Sequence, residues 1–125
     1  MNVWTAPVIR VNRASVVGET VTLPCWTPLT TPVDWYYLQS ESAERAWFLC
    51  SAGNIVSDYR ERFTLNRSVP GDYSLVIHNV TRGDAGLYIC REDIGLGTEH
   101  QIALTVHGKI SISSSCVIRL YQVTK

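Results

Sequence analysis

The chain has 125 residues, 46% of them hydrophobic and 18% charged, with 11 Lys plus Arg set against 11 Asp plus Glu. That length supports one domain with a real core, and the composition excludes both a disordered segment and a long coiled coil. The charge balance provides no basic field for nucleic acid or an anionic membrane surface, so partners must be selected by shape and local chemistry.

Taken in order, Val8-Ile9-Arg10-Val11 alternates loosely and is expected to form a first edge strand, followed by Val16-Val17 and a Gly18-Glu19 turn. Glu19 to Cys25 alternates strictly, which places Val21, Leu23 and Cys25 on one inward face. Pro24 donates no hydrogen bond and makes the end of that strand irregular. Thr27 to Pro32 reads as a loop.

Val33 to Gln39 then places Val33, Trp35 and Tyr37 inward and Asp34, Tyr36 and Leu38 outward. Ser40 to Arg45 is a polar turn before a further strand, Ala46 to Cys50, and Ile55 marks a short edge strand. Arg62 to Leu65 and Tyr73 to Ile77 are two more strands, joined through the turn signal Pro70-Gly71-Asp72. Leu75 and Ile77 belong to the core. In Asp84-Ala85-Gly86-Leu87-Tyr88-Ile89-Cys90, Tyr88 and Cys90 share the interior side, and a buried Tyr88 hydroxyl needs a partner from the backbone of the preceding corner. Leu87 and Ile89 take the opposite parity. Ile102, Leu104 and Val106 alternate in a last strand.

The four cysteines include no C-x-x-C pair, which argues against zinc or thioredoxin chemistry and for disulfides in an oxidising compartment. Cys25, Trp35 and Asp84-x-Gly86-x-Tyr88-x-Cys90 together resemble an immunoglobulin V-set domain, over roughly residues 5 to 107. The resemblance implies an all-β fold, a V-type Greek-key sandwich of two antiparallel sheets. It implies a Cys25–Cys90 disulfide packed on Trp35, a core containing Leu23, Leu75, Ile77 and Tyr88, and a salt bridge between Arg62 and Asp84. Ala46 to Cys50 becomes the additional strand that separates variable-type from constant-type domains. Gly95-x-Gly97 is similar to the joining-segment motif of antigen-receptor variable domains, with Ile94 in the place of phenylalanine. A simple hairpin tip is the competing reading.

Residues 1–107 are therefore assigned to the domain and 108–125 to a linker, an extra strand or a vector-encoded tail. Cys116, in that tail, is either bridged to Cys50, linked to another chain or free. Asn66-Arg67-Ser68 and Asn79-Val80-Thr81 match the N-glycosylation pattern. Met1-Asn2-Val3-Trp4 lacks a signal peptide's basic start and apolar run. Met1 is expected to be an added start on a mature ectodomain, with any membrane anchor beyond Lys125.

Functionally, the outward side chains Tyr36, Leu38, Leu87 and Ile89, with Trp47 and Phe48 added, form an apolar wall on a face that is normally polar. Such a wall points to a protein contact. It is also the face through which V domains pair, so an isologous homodimer is expected. His78, His100 and His107 have no nucleophile beside them, and the odd spacing of His100 and His107 splits them between strand faces, so neither an enzyme nor a metal site is expected. No cofactor is expected either. The reading is an extracellular recognition domain of an immune-type receptor, cell-surface or secreted. The alternatives are an adhesion module of a longer chain, or a glycan or lipid-head-group binder working through the loop end.

Overall fold

The computed structural model describes residues 7–28, 32–92 and 98–108. Ile94, Gly95, Gly97, Cys116 and the rest of the C-terminal stretch lie outside the described residues.

Among the described residues nine strands are formed: β1 (Val8–Val16), β2 (Val21–Leu23), β3 (Val33–Leu38), β4 (Trp47–Ser51), β5 (Asn54–Ile55), β6 (Phe63–Asn66), β7 (Ser74–Ile77), β8 (Gly86–Glu92) and β9 (Glu99–His107). They make a six-stranded sheet in the order β1-β9-β8-β3-β4-β5 and a three-stranded sheet in the order β2-β7-β6. The fold is an all-β sandwich. Pairing is antiparallel throughout except that β1 runs parallel to β9, in unbroken register from Val8 opposite Glu99 to Val16 opposite His107. The first strand is thus longer than the alternation suggests, because the Val8 to Val11 segment and Val16 belong to one continuous ladder. By contrast β2 stops at Leu23, where Pro24 withholds the N–H that a continued ladder would need.

The core lies where the two inner faces meet. Leu23, Val33, Trp35, Leu75, Ile77, Tyr88, Cys90 and Ile102 are at most 1% exposed. Cys25, just past β2, is bonded to Cys90 of β8, so the bridge ties one sheet to the other. Trp35 stands directly opposite Cys90 in the β3–β8 ladder, and its indole N–H donates to the Tyr73 carbonyl at 2.9 Å. The Tyr88 hydroxyl donates to the Asp84 carbonyl at 2.6 Å, and Tyr37 donates to the Ala85 carbonyl at 2.6 Å. Both phenols are thereby satisfied at one corner. Burial and the Asp84 charge push the Tyr88 hydroxyl far above its ordinary range. Gly86, at φ +148°, is required beside them, since a Cβ there would meet the Leu38 carbonyl at 2.6 Å and the Tyr37 ring at 2.7 Å.

At the other end of the corner, the Arg62 guanidinium donates two parallel bonds to the Asp84 carboxylate, at 2.8 and 2.9 Å. Asp84 Oδ2 also accepts the Thr81 backbone N–H at 2.8 Å. The pair closes the lower end of the sandwich between β6 and β8.

Cys50 is a free thiol, completely buried. It points inward because β4 carries a bulge: Phe48 lies opposite Tyr36 but Cys50 lies opposite Trp35, so Leu49 is the extra residue and both Leu49 and Cys50 turn to the core. Burial pushes the Cys50 thiol up to about 11, which keeps it protonated and unreactive at neutral pH.

Asp34 corrects the sequence expectation in another way. It has outward parity, yet it is only 6% exposed, because Oδ1 accepts the Ala52 N–H at 2.7 Å. Ala52 and Gly53 are the two-residue loop between β4 and β5, and both have positive φ, +50° and +82°. That turn suits strand twist but strains an alanine. Ala52→Gly is expected to raise stability by about 0.5–1 kcal/mol, since the relief of left-handed strain exceeds the added entropy of glycine. Urea denaturation checks this, and an unchanged or lower midpoint would show that the turn is unstrained.

Candidate recognition face

The outer face of the six-stranded sheet is set by the same alternation that fills the core. Tyr36 and Leu38 from β3, Phe48 from β4 and Leu87 and Ile89 from β8 project from it, with Leu38 opposite Leu87 and Tyr36 opposite Ile89. The Tyr36 and Phe48 rings lie 4.6 Å apart, tilted by 39°. Phe48 is 46% exposed, while Tyr36, Leu38 and Ile89 are half-buried.

Two of the residues expected on this wall are placed differently. Leu87 is only 7% exposed. It lies between Leu38 of β3 and Ala103 of β9, and an ion pair from Arg10 of β1 to Glu41 in the β3–β4 loop reaches across the same side of the sheet. Leu87 therefore serves as the floor of the face rather than its surface. Trp47 is not on this face at all. It lies opposite Tyr37, whose side chain packs on the core, and it lines a cleft of about 350 Å³ at the lower end together with Tyr37, Leu49, Tyr59 and Phe63. The Arg45 guanidinium covers it at 4.1 Å from the ring centroid. The bulge at Leu49 and the two-residue spacing from Leu49 to Trp47 give the physical reason.

Polar groups that alternation alone does not disclose frame the apolar strip. Arg91 of β8 sits over the Tyr36 ring at 4.9 Å and donates to its hydroxyl at 3.4 Å; that hydrogen bond raises the guanidinium above its ordinary range. Tyr36 in turn donates weakly to Asp34 Oδ2 at 3.5 Å. On β9, Gln101 donates to Glu99 at 2.6 Å. An exposed aromatic centre with charged and amide groups around it has the anatomy of a protein interface, and it offers no nucleophile or acid–base pair. The signal for Arg91 was present in the sequence as the next outward position after Ile89, but its stacking partner depends on strand pairing.

The three histidines do not converge. His100 faces inward, with Nδ1 3.7 Å from the Cys25 sulfur, and burial lowers its pKa against an opposing backbone hydrogen bond at Thr98. His78 shares a hydrogen bond with Thr64 at 3.0 Å. His107 is exposed. Among the described residues no group of three or more His, Cys, Asp or Glu side chains could hold a metal ion.

A two-sheet sandwich pinned by one disulfide against a tryptophan, with a tyrosine corner and the extra strands β4 and β5, defines a variable-type immunoglobulin domain. The immunoglobulin V-set domain family model matches residues 11–107, and the chain belongs to that family. Among solved structures it is similar to the first immunoglobulin domain of the mouse polymeric immunoglobulin receptor, at 23% identity and a TM-score of 0.64, over 81% of this chain and 93% of that one. It is also similar to the RIG-5 IG1 homodimer, at 19% identity and a TM-score of 0.64 over 77% and 89% of the two chains. The ZIG-8 IG1 homodimer matches at 15% identity with a TM-score of 0.61 over 83% and 81%. None of the curated proteins matches the chain.

Proposed function

We propose that this V-set domain is the recognition module of an immune-type receptor, extracellular and either cell-surface or secreted, that binds protein and self-associates through the outer face of its large sheet. The observation that carries the reading is Phe48, nearly half exposed at one end of an apolar strip with Tyr36, Leu38 and Ile89. Burying that strip with its rim would cover about 600–800 Å² per partner, the size of a specific interface. Two of the similar structures are homodimers of first immunoglobulin domains, which supports pairing between sandwiches of this kind. A domain closed by a disulfide fits an oxidising, extracellular setting, and among the described residues no helix is long and apolar enough to cross a membrane.

The two glycosylation candidates favour the same face. Asn66 is on β6 of the small sheet, and Asn79 is an exposed turn residue after β7. Sugars at either position would leave Phe48 uncovered.

Sedimentation velocity tests the reading. Wild type is expected to show a concentration-dependent dimer at about 100 μM, above the micromolar affinity that weak interfaces of this size reach, and Phe48→Arg is expected to be monomeric with an unchanged unfolding midpoint. A wild type that stays monomeric at that concentration, or a Phe48→Arg variant that still dimerises, would remove self-association through this face.

A further inference from the structure

A second surface, at the end of the small sheet and independent of Phe48, has its own chemistry. Cys25 turns into the core, so Trp26 turns out and is left 55% exposed. Trp26, Pro28, Arg67, Pro70, Gly71 and Tyr73 surround a cleft of about 440 Å³, within the range of small-ligand sites. The Arg67 guanidinium carbon lies over the Tyr73 ring, 3.7 Å from its centroid. It is exposed, and among the described residues it enters no salt bridge and donates no hydrogen bond. Stacking occupies the face of a guanidinium and leaves its edge, with its fork of N–H donors, available to a carboxylate. Gly71 makes room for the tryptophan: at φ +91°, a Cβ there would stand 2.8 Å from both the Trp26 indole nitrogen and the Thr27 carbonyl.

We infer that this cleft binds a carboxylated sugar, with the Arg67 edge holding the carboxylate and the Trp26 ring stacking on the C–H face of the pyranose. The unpaired cation selects an anion. The apolar side chains of Trp26, Pro28 and Pro70 that line the cleft favour a sugar acid over inorganic phosphate, which would make no use of them. A sialic acid and a uronic acid share this chemistry and differ in where the carboxylate sits on the ring.

The test is a ¹⁵N-correlation NMR titration of the folded domain with the methyl glycosides of N-acetylneuraminic acid, glucuronic acid and glucose. At least one acidic glycoside is expected to shift the Trp26 indole N–H and the Arg67 and Tyr73 amides, and the acid that does so identifies the source; the neutral glucoside is expected to leave them unmoved. Arg67→Gln should weaken binding by about tenfold or more, the effect of losing charge-assisted bonds worth ~1.4 kcal/mol or more. Arg67→Lys should fall between the two, because it keeps the charge without the fork. Amide shifts away from the cleft report that each variant is folded. The inference is overturned if neither acid moves the Trp26 signal, if glucoside binds as well as the acids, or if Arg67→Gln binds as wild type does.

Discussion

Replacing Cys25 and Cys90 together by alanine is expected to lower the unfolding free energy by about 4 kcal/mol. The bond closes a sequence separation of 65 residues, for which the chain-entropy relation gives about that value, within an observed range of ~2–5 kcal/mol for native disulfides. Both cysteines are also buried, at 2% and 0% exposure, so truncation adds a small packing loss to the entropic one. Against a domain stability of about 5–15 kcal/mol, the variant would be marginal. Urea denaturation should place the variant slightly below wild type in reductant, by the packing loss alone, since Cys50 is a free thiol in both. A loss below about 1 kcal/mol would mean that the packing around Trp35 holds the sheets without the bond.

The next largest effect is expected from Asp84→Ala. Its carboxylate is nearly buried and receives both Arg62 bonds and the Thr81 N–H. Breaking a buried pair costs about 3–5 kcal/mol, but the Arg62 side chain is 34% exposed, which reduces the expectation to about 2–3 kcal/mol. The Tyr88 corner bond uses the Asp84 carbonyl and survives the substitution, so the loss reports the carboxylate. The acid limb supplies the independent check. Burial raises the Asp84 carboxyl, but the Arg62 and Thr81 hydrogen bonds and the Arg62 charge outweigh it and hold the group below its ordinary 3.8. The native state therefore binds the proton less readily than the unfolded chain. The stabilisation is present above the unfolded carboxyl pKa and is lost as pH falls through the lower folded value. Wild type should lose stability below about pH 4 more steeply than Asp84→Ala; parallel acid limbs would show that Asp84 is not a source of that loss.

The fold and the family were legible because Cys25, Trp35 and Asp84-x-Gly86-x-Tyr88-x-Cys90 together resemble the V-set pattern, and strand geometry agrees with that resemblance. Cys25, Trp35, Tyr88 and Cys90 each have a parity that a two-residue period assigns, and the wide separation of Cys25 from Cys90 leaves room for the intervening strands. The recognition face was legible in part. Alternation gives the side of the sheet on which Tyr36, Leu38 and Ile89 stand, but not depth. Leu87 is sunk between Leu38 and Ala103, a relation that requires three strands to be paired in register. Trp47 was misassigned because nothing local distinguishes a regular strand from one with a bulge at Leu49. The turn at Ala52 escaped notice for a related reason. A left-handed residue is normally signalled by glycine or asparagine, and here it is an alanine held by Asp34 from another strand. The Trp26 and Arg67 cleft was equally hidden, since its residues come from the segment after β2 and from the β6–β7 connection.

The parallel ladder between β1 and β9 has a mechanical consequence. Val8 and His107 are at opposite ends of two strands that run the same way and are matched at nine positions. Tension applied between those two residues slides one strand along the other, so the rungs share the load and must fail together. In an antiparallel hairpin pulled at its open end, each rung would instead part in turn. The first strand thus acts as a shear clasp across the edge of the sandwich, resistant along its length and weak only to peeling.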